Sequence, residues 1–514
     1  MARDPINAGT SAGAKRPGEP PCHRALTSPR PVVPATLSCL PQMVYLERMR
    51  RPLAASFLAS LLLFSTACVP RSAGGSSGLL SRADERELGR KVLDEVRREF
   101  RVLDDPYLAD YLTGIGRRLE SVAGPQPFEI DFHVVGDSRI NAFAVPGGHI
   151  FVTSQTILVS NDESELAGVV AHEMGHVEGR HIAYQMKAGA RANLAALAAV
   201  LAGAFLTRNP QAGAAIATFG LAAAQTQMLQ YSRTDEEDAD RRAVRTLNAA
   251  GYDGWGLVRF METIQRQSPA PEGVPAYLFT HPLPENRARY LADALPAKKP
   301  PAPDDAALGP LWRAQARVLA QDPRPWGLGV VRHRAEAQPR SADAQLALAL
   351  VLKAAGRYDE AWAALDAARN VVPDDPEILH ERASVRLHQG RQAEGIALLE
   401  GLKQSGRATG PALLELAWSY LEADEGDKAL GALAGLDRRP ADAPHWARID
   451  YLRGLALGKV GRSGEARAAL GDYYVGQGDR AQARRNYQEA VRLLPPGDLR
   501  DRVATDLKRL DDER

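Results

Sequence analysis

The chain is poor in cysteine, in aromatic residues and in net charge. Only 3 of its 514 residues are cysteines and none follows Cys68, which excludes a disulfide framework. Aromatic residues make up 6% of the chain, and 64 Lys+Arg stand against 63 Asp+Glu. This balance argues against a dedicated nucleic-acid-binding protein, and we expect no nucleic-acid partner. The longest apolar runs have about a dozen residues, fewer than the ~20 that a membrane-spanning helix needs.

The N-terminal region has the composition of a leader followed by a signal peptide. Residues 1–48 are rich in Pro and Arg without apolar periodicity, which is typical of a disordered leader or of a start codon assigned too far upstream. The segment 49–67 has a basic start, an apolar middle and small residues at its end, the pattern of a signal peptide. Cleavage before Cys68 resembles that of bacterial lipoproteins, with Cys68 lipidated and Val69 directing the protein to the outer membrane. Ser65 replaces the usual Leu, so a soluble periplasmic form is the alternative.

Two folded domains are expected beyond this region. Residues 68–79 form a flexible Gly/Ser tether, and the Pro-rich segment 296–308 forms a stiff linker. Residues 80–295 alternate helical periodicity with short strand patterns, which predicts an α+β domain that is mostly helical and has a small β-sheet. Residues 309–514 show apolar helical stretches only, which predicts an all-α domain.

Glycines recur at a regular interval in the second domain. Gly356, Gly390, Gly426 and Gly461 are separated by 34, 36 and 35 residues. This period predicts tetratricopeptide helix–turn–helix units stacked into a solenoid. Such a solenoid presents a concave face that binds polypeptides, and a purely stabilising appendage is the alternative.

The strongest chemical signal is H-E-x-x-H at residues 172–176, inside a helix predicted from 163 to 185. Residues four apart share one face of a helix, so His172 and His176 can bind one metal ion. Glu173 then lies beside the ion, where a general base is needed.

Zinc needs a third protein ligand, and two candidates follow the motif. His181 falls one residue short of the spacing H-E-x-x-H-x-x-G-x-x-H, where Ile182 stands, so we expect it to cap or pack near the helix end. Glu236 and Asp240 share one face of a later predicted helix. Glu236 is expected to be the third ligand, and Asp240 the acceptor that orients a ligand histidine. A solvated helix start explains other acidic residues between 235 and 240.

These motifs resemble those of the HtpX-like gluzincin metallopeptidases, from about residue 80 to the C-terminus. The layout is similar to that of envelope members with C-terminal tetratricopeptide repeats. The matching segments are residues 141–148, the H-E-x-x-H helix, Glu236-x-x-Ala239-Asp240, and Thr280-His281-Pro282 followed by Arg287. The resemblance implies one zinc ion per chain, bound by His172, His176 and Glu236, with Glu173 catalytic. It also implies action on outer-membrane protein assembly and quality control.

The expected reaction is hydrolysis of a peptide bond. Zinc supplies a nucleophilic hydroxide near neutral pH, while Glu173 takes the proton and delivers it to the leaving amine. Charge on the carbonyl oxygen requires a second donor, for which His281 and Arg287 are candidates. His281 has two alternatives: a fourth ligand that keeps the enzyme latent, or part of a structural turn.

Two short strands about a Gly-rich turn, 141–145 and 149–152, are expected to bind the substrate as an added strand. A purely structural hairpin is the alternative. The residues assigned to this substrate edge are Asn141, Ala142, Phe143, Pro146, Gly147 and Gly148.

The functional prediction is a zinc-dependent endopeptidase of the bacterial periplasm that acts on misfolded or misassembled envelope proteins. Its repeats would bind substrates or partners, among them the outer-membrane barrel assembly machinery, and a lipid on Cys68 would attach it to the outer membrane. The rival prediction is a periplasmic chaperone or assembly scaffold whose peptidase site is largely latent.

Overall fold

The computed structural model describes residues 80–185, 231–266, 277, 281, 287–295, 309–434, 436 and 447–512. The predicted leader, signal peptide, tether and linker lie outside these residues. No helix in the described ranges combines the length and the apolarity needed to cross a membrane.

The N-terminal half combines helices with one small sheet, as predicted for an α+β domain. Ser81 and Asp84 form a capping box at the start of the first helix, and Asp105 caps the second helix before Pro106. The elements are α1 (Arg82–Glu99), α2 (Pro106–Glu120), β1 (Asp131–Val135), β2 (Ala142–Val145), β3 (His149–Thr153), α3 (Ser154–Val159), α4 (Glu163–Gly179), α5 (His181–Gln185), α6 (Arg233–Ala249), α7 (Trp255–Arg266) and α8 (Arg287–Ala294).

The sheet has the strand order β1-β3-β2, with β1 parallel and β2 antiparallel to β3. Gly147 and Gly148 form the turn between β2 and β3 with φ of +91° and +100°, values that glycine adopts without strain. Because β3 pairs on both sides, β2 is the one of these two strands that lies at an edge of the sheet. The expectation that both strands form this edge is therefore corrected to β2 alone.

The two faces of the sheet pack against different helices. On one face, Phe143 and Phe151 join apolar residues of α1, among them Leu88 and Val92. On the other face, Phe132 contacts α2 so closely that a Cβ at Gly116 would lie 2.1 Å from its ring. The sheet thus lies between α1 on one side and α2 and α4 on the other.

The helix that carries H-E-x-x-H is shorter than predicted. It ends at Gly179, because Arg180 adopts a left-handed conformation (φ 51°) and is the C-cap. The backbone amide of Arg180 donates to the carbonyl oxygens of His176 and Val177. The guanidinium of Arg180 pairs with Glu85 of α1, which ties this bend to the first helix. The short helix α5 follows in a new direction and places His181 at its start.

The C-terminal half is all-α and consists of antiparallel helix pairs, as predicted for a solenoid. Gly356, Gly390 and Gly461 have φ near +75° in the turns within pairs. In the remaining predicted turn the left-handed residue is Asp424 (φ 63°), and Gly426 begins the next helix. The helices are α9 (Gly309–Gln321), α10 (Gly327–Ala337), α11 (Ala342–Ala354), α12 (Tyr358–Val371), α13 (Pro376–His388), α14 (Gln392–Gln404), α15 (Gly410–Glu422), α16 (Gly426–Leu433), α17 (Ala447–Lys459), α18 (Ser463–Gly476), α19 (Arg480–Leu493) and α20 (Asp498–Asp512).

The first solenoid helix, α9, joins the two halves. The side chain of Gln315 donates to the backbone carbonyls of Ile157 and Ser160 at the end of α3. Arg317 pairs with Asp105 of α2 and with Glu377 of α13. One hydrophobic core therefore continues from the sheet into the first repeats.

Candidate metal centre

Helix α4 presents the H-E-x-x-H motif on a fully buried surface. Asp162 caps its start by accepting from the amide of Glu165. His172, Glu173 and His176 are each at most 2% exposed, and buried residues surround them along the helix. The burial of three polar side chains on one helix means that their partners must come from other elements.

Helix α6 supplies the carboxylates. Ser232 and Asp235 form a capping box at its start, so Asp235 has the structural role expected of an acidic helix start. The helix approaches α4 closely, since a Cβ at Gly175 would lie 2.9 Å from the backbone of Ala239. This contact between small residues brings Glu236 and Asp240 against the histidines of α4.

Four buried ligand atoms converge at one point. His172 Nε2 lies 3.1 Å from His176 Nε2, which in turn lies 3.4 Å from Glu236 Oε1. His281 Nδ1 lies 3.2 Å from His172 Nε2 and 2.9 Å from Glu236 Oε1. In a tetrahedral zinc site with metal–nitrogen distances of about 2.0–2.1 Å, neighbouring ligand atoms are about 3.3–3.4 Å apart. The spacing of these donors therefore fits a single metal ion.

The charges of the cluster also fit a cation. The carboxylates of Glu173, Glu236 and Asp240 are all at most 1% exposed, and the one fully buried guanidinium among them is that of Arg287. Burial of such an excess of negative charge is unfavourable unless a cation, either a protonated imidazole or a metal ion, balances it. The donor set and the charge together fit a divalent metal ion.

Each predicted metal ligand has an outer partner that orients it. His172 Nδ1 lies 2.9 Å from Asp240 Oδ1, which is the contact predicted for Asp240. Arg287 donates to Asp240 through Nε (2.8 Å) and Nη2 (2.7 Å), and its Nη1 lies 2.5 Å from Glu236 Oε2. Tyr290 donates to Asp240 as well. The guanidinium of Arg287 thus clamps two carboxylates of the cluster.

The protonation states suit metal binding. Burial raises the pKa of Glu236 and Asp240, but the neighbouring cationic groups outweigh it, with Arg287 acting on both carboxyls and His281 on Glu236. The pKa of Asp240 falls to about 2, and that of Glu236 falls well below its ordinary value. Burial lowers the pKa of His176 well below its ordinary value, so its imidazole is neutral, the form that binds metals.

His181 has a contact that the spacing of the motif does not reveal. Its Nδ1 lies 2.9 Å from Nδ1 of His176, and its Nε2 lies 3.2 Å from Asp238 Oδ2. It therefore contacts a predicted metal ligand from outside and is not a member of the four-residue cluster. Only the bend at Arg180 makes this contact possible, because residues five apart in a continuous helix do not face each other.

Glu173 contacts both the cluster of predicted metal ligands and the sheet. Its Oε2 accepts a hydrogen bond from the backbone amide of Ala144 in β2 at 3.0 Å. Its Oε1 lies 3.4 Å from His281 Nε2. Burial raises the pKa of Glu173 above its ordinary value, against the opposing effect of His281 and His172. A carboxyl group with a raised pKa next to an edge strand suits proton transfer to and from a bound peptide.

Tyr231 also lines the site, and the sequence does not predict it. Its ring stacks on the imidazole of His176, with 3.7 Å between centroids and 26° between planes. Together with Ala144, Val145 and His176, it lines a narrow cavity of about 20 Å³ between β2 and α4. A tyrosine five residues before a ligand carboxylate carries no recognised spacing signal, so only the fold reveals it.

The other residues assigned to the substrate edge have mixed positions. Phe143 stacks on Phe151 (4.9 Å, 17°) on the face toward α1, away from Glu173. The amide of Asn141 donates to Thr156 Oγ1 at 2.9 Å. Pro146 and Gly147 line the cavity beside Tyr231. Cys68 lies outside the described residues.

Comparisons with known proteins agree with this site. Residues 109–295 match the family described as Peptidase family M48, and residues 342–385 match a tetratricopeptide repeat. The chain is 28% identical over 406 residues to the beta-barrel assembly-enhancing protease of Escherichia coli (strain K12), covering 75% of this chain and 82% of that protein.

Shorter matches have related names. The beta-barrel assembly-enhancing protease of Yersinia pestis is 32% identical over 244 residues, 47% of this chain and 50% of that protein. The mitochondrial metalloendopeptidase OMA1 of Schizosaccharomyces pombe is 29% identical over 190 residues, 36% of this chain and 52% of that protein. The expectation of a metallopeptidase with repeats is confirmed: the chain is a metallopeptidase, in which residues 109–295 match peptidase family M48 and residues 342–385 match a tetratricopeptide repeat.

Proposed function

We propose that the chain is a zinc-dependent endopeptidase of the bacterial periplasm that acts on misfolded or misassembled envelope proteins, those of the outer membrane above all. The observation that carries this proposal is the convergence of His172, His176 and Glu236 next to Glu173, whose carboxylate in turn contacts the edge strand β2. The names of two relatives, which refer to beta-barrel assembly, support the choice of substrate.

Zinc is the metal that this donor set favours. Two imidazole nitrogens and one carboxylate oxygen in tetrahedral spacing are typical of catalytic zinc sites. When bound, zinc supplies a nucleophilic hydroxide at neutral pH. We expect one zinc ion per chain, held by His172, His176 and Glu236, with Asp240 and Arg287 fixing the geometry of the ligands.

The chain's own residues supply the rest of the chemistry. A substrate strand laid along β2 would pass Glu173, because the amide of Ala144 already donates to its Oε2. Glu173 accepts the proton of the attacking water and passes it to the leaving amine. The contacts of Arg287 with Glu236 and Asp240 favour a positioning role over the direct role as an oxyanion donor.

Replacement of Glu173 tests the proposed activity. We expect Glu173→Gln to abolish cleavage of an unfolded outer-membrane protein by the zinc-loaded full chain, while zinc content is retained. Glu163→Gln, at the start of the same helix, is the matched control, because Glu163 contacts Tyr111 and not the cluster. Undiminished cleavage by Glu173→Gln would refute the assignment of the base and, with it, the proposed reaction.

A second function, a chaperone or assembly scaffold with a latent peptidase site, is favoured by His281. This residue completes the four-donor cluster, and a catalytic zinc site needs its fourth position open for water. If His281 holds the site latent, His281→Ala cleaves the unfolded protein faster than the wild-type chain. If cleavage is lost instead with zinc retained, His281 takes part in the reaction and the latent-site proposal is wrong.

The location of the protein is part of the proposal. Residues 49–67 would be a signal peptide, and a lipid on Cys68 would anchor the protease to the outer membrane, with a soluble periplasmic form as the alternative. The proposed layout is a tether at 68–79, a peptidase domain at 80–295, and after the linker 296–308 a repeat domain at 309–514 that binds substrates or the barrel assembly machinery. Cys68→Ser followed by membrane fractionation tests the anchor, and an unchanged membrane fraction would contradict lipidation.

A further inference from the structure

The reaction proposed above leaves one requirement without a residue. As a peptide bond is attacked, negative charge develops on its carbonyl oxygen, and a donor from the protein must be directed at that position. The side chain of Arg287 contacts Glu236 and Asp240, and His281 lies among the ligand atoms. A different donor is therefore needed on the substrate side of the cluster.

Tyr231 has the position and the chemistry of such a donor. It is 2% exposed, and its hydroxyl has no hydrogen-bond partner among the residues that the structure describes. A buried hydroxyl without a partner is destabilising, so its retention calls for a partner that arrives with the substrate. A tyrosine hydroxyl is protonated at neutral pH and can donate one hydrogen bond.

The surroundings of Tyr231 show where that partner would lie. Its ring is held flat against the imidazole of His176, a metal ligand, at 3.7 Å. The cavity that it lines is also lined by Ala144 and Val145 of β2, the strand along which the substrate is expected to bind. The amide of Ala144 in turn marks the position of Glu173. Tyr231 also lies 5.1 Å, between ring centroids, from His281, whose Nε2 is 3.4 Å from Glu173 Oε1. The tyrosine is therefore close both to the edge strand and to the base.

We propose that Tyr231 is a catalytic residue, whose hydroxyl donates a hydrogen bond to the carbonyl oxygen of the scissile peptide bond. This inference rests on the proposed peptidase function and deepens it. When the water oxygen bonds to the carbonyl carbon, the π electron pair moves to the carbonyl oxygen and the water proton passes to Glu173. When the C=O bond re-forms, the C–N bond breaks, and the amine nitrogen receives the proton from Glu173. Tyr231 keeps its own proton throughout and stabilises the charge between these two steps.

The variant Tyr231→Phe separates this role from packing, because phenylalanine retains the ring that stacks on His176 and removes only the hydroxyl. For the zinc-loaded full chain we expect kcat for a peptide substrate to fall about 100- to 1000-fold, with KM changed little. Zinc content should equal that of the wild type. Tyr111→Phe is the control, because Tyr111 donates to Glu163 outside the cluster and its loss should leave kcat unchanged.

Two measurements besides activity make the test decisive. The melting temperature of metal-free Tyr231→Phe should equal or exceed that of the metal-free wild type, because the hydroxyl that is removed has no hydrogen-bond partner within the described ranges of the chain. A phosphinic peptide, which imitates the tetrahedral state, should bind the variant about tenfold more weakly or worse, whereas a cleavage-product peptide should bind equally well.

The failures of the two proposals differ. If the wild-type chain cleaves the peptide and Tyr231→Phe has the same kcat, the inference about Tyr231 is wrong while the peptidase function stands. A clear drop in the melting temperature of the variant with an unchanged affinity for the phosphinic peptide would likewise assign the hydroxyl a structural role. If the wild-type chain cleaves no peptide even with full zinc occupancy, the proposed function itself fails.

Discussion

Among the residues that the structure describes, histidine and carboxylate side chains come close enough to hold a metal ion in two places, and the two clusters differ in burial and in surroundings. The deep cluster consists of His172, His176, Glu236 and His281. The sheet cluster consists of Asp131, His133 and His149.

The sheet cluster is explained by pairing and packing. Asp131 and His149 are cross-strand partners in β1 and β3, with 3.3 Å between Asp131 Oδ2 and His149 Nδ1. His133 stacks on Phe151 at 5.0 Å, on the face that packs against α1. The side chain of Asp131 is 21% exposed, so water can solvate its charge.

The deep cluster differs from the sheet cluster in two respects. It has an excess of fully buried negative charge, and each of its predicted ligands has an outer partner. Asp240 orients His172, His181 contacts His176, and Arg287 holds Glu236. Outer partners of this kind orient metal ligands and raise their basicity. Histidine and carboxylate side chains that lie close together therefore do not make a metal site unless the surrounding residues fix their positions. We therefore expect one metal ion per chain, in the deep cluster.

The largest expected effect comes from removing a ligand charge in one cluster and its counterpart in the other. Glu236→Gln should lower zinc content from one ion per chain to a small fraction and abolish cleavage, because the amide is a much poorer ligand for a buried cation. Asp131→Asn should keep one ion per chain and full activity. Metal analysis of the dialysed proteins measures both. Full zinc occupancy in Glu236→Gln would contradict the ligand role, and a loss of half the zinc in Asp131→Asn would mean that both clusters bind metal.

The next effect concerns the outer partner Asp240. Asp240→Asn removes a buried charge that accepts from Arg287 and Tyr290 and contacts His172. Loss of one member of a buried ion pair costs about 3–5 kcal/mol of stability. Zinc affinity should fall about 10- to 100-fold as well. Thermal unfolding and competition with a zinc chelator measure the two quantities. Asp235→Asn, which changes only the capping box of the same helix, should leave the affinity for zinc unchanged.

A smaller effect is expected at His181. His181→Asn should weaken zinc binding about tenfold, at the lower end for such partners, because it removes the contact with Nδ1 of His176. The partner behind it, Asp238, is 44% exposed and can be solvated, which limits the loss. His133→Asn in the sheet cluster is the matched control and should not change zinc affinity. Equal affinities for zinc in His181→Asn and wild type would show that His176 is fixed by its stacking on Tyr231 alone.

The difference between local and non-local information explains how much of the site the sequence predicts. Helical spacing decides which residues share a face, so His172, His176, Glu236 and Asp240 are predictable, and the structure brings all four together. Tyr231 and the contact of His181 depend on where the chain bends and returns after Arg180, which no spacing within one helix encodes. The sequence predicts Arg287 as part of the site, but its partners Glu236 and Asp240 depend on how α6 and α8 pack together, which the sequence does not reveal.

The same distinction applies to the fold. The repeat period predicts the helix pairs, but it places one turn at Gly426, whereas the left-handed residue of that turn is Asp424. Aspartate also tolerates this conformation, and a period defined by glycines cannot detect it. The packing of α9 against the N-terminal half is not predictable from the sequence, because it depends on contacts between residues that lie far apart in the chain, such as Gln315 and Ile157. Side-chain amides and guanidinium groups that bridge so far along the chain carry no periodic signal.

The smallest expected effect on zinc binding, namely none, tests whether the sheet cluster is purely structural. A Cβ at Gly89 in α1 would lie 1.9 Å from the carbonyl oxygen of Pro146 and 3.0 Å from His149 Cδ2. Gly89→Ala should therefore force α1 away from the sheet and lower the free energy of unfolding by about 1–3 kcal/mol. Gly114→Ala in α2, where a Cβ would meet nothing within 4 Å, is the control and should stabilise the chain by about 0.5–1 kcal/mol through its helix propensity.

Zinc content distinguishes the two clusters in this last variant. Because a Cβ at Gly89 would meet Pro146 and His149, neither of which belongs to the deep cluster, Gly89→Ala should retain one zinc ion per chain despite its lower stability. Chemical unfolding and metal analysis on the same preparation measure both. Loss of zinc from Gly89→Ala would show that the packing of α1 on Pro146 holds β2 and Glu173 in place. The two clusters would then be mechanically coupled, and the conclusion that they are independent would be wrong.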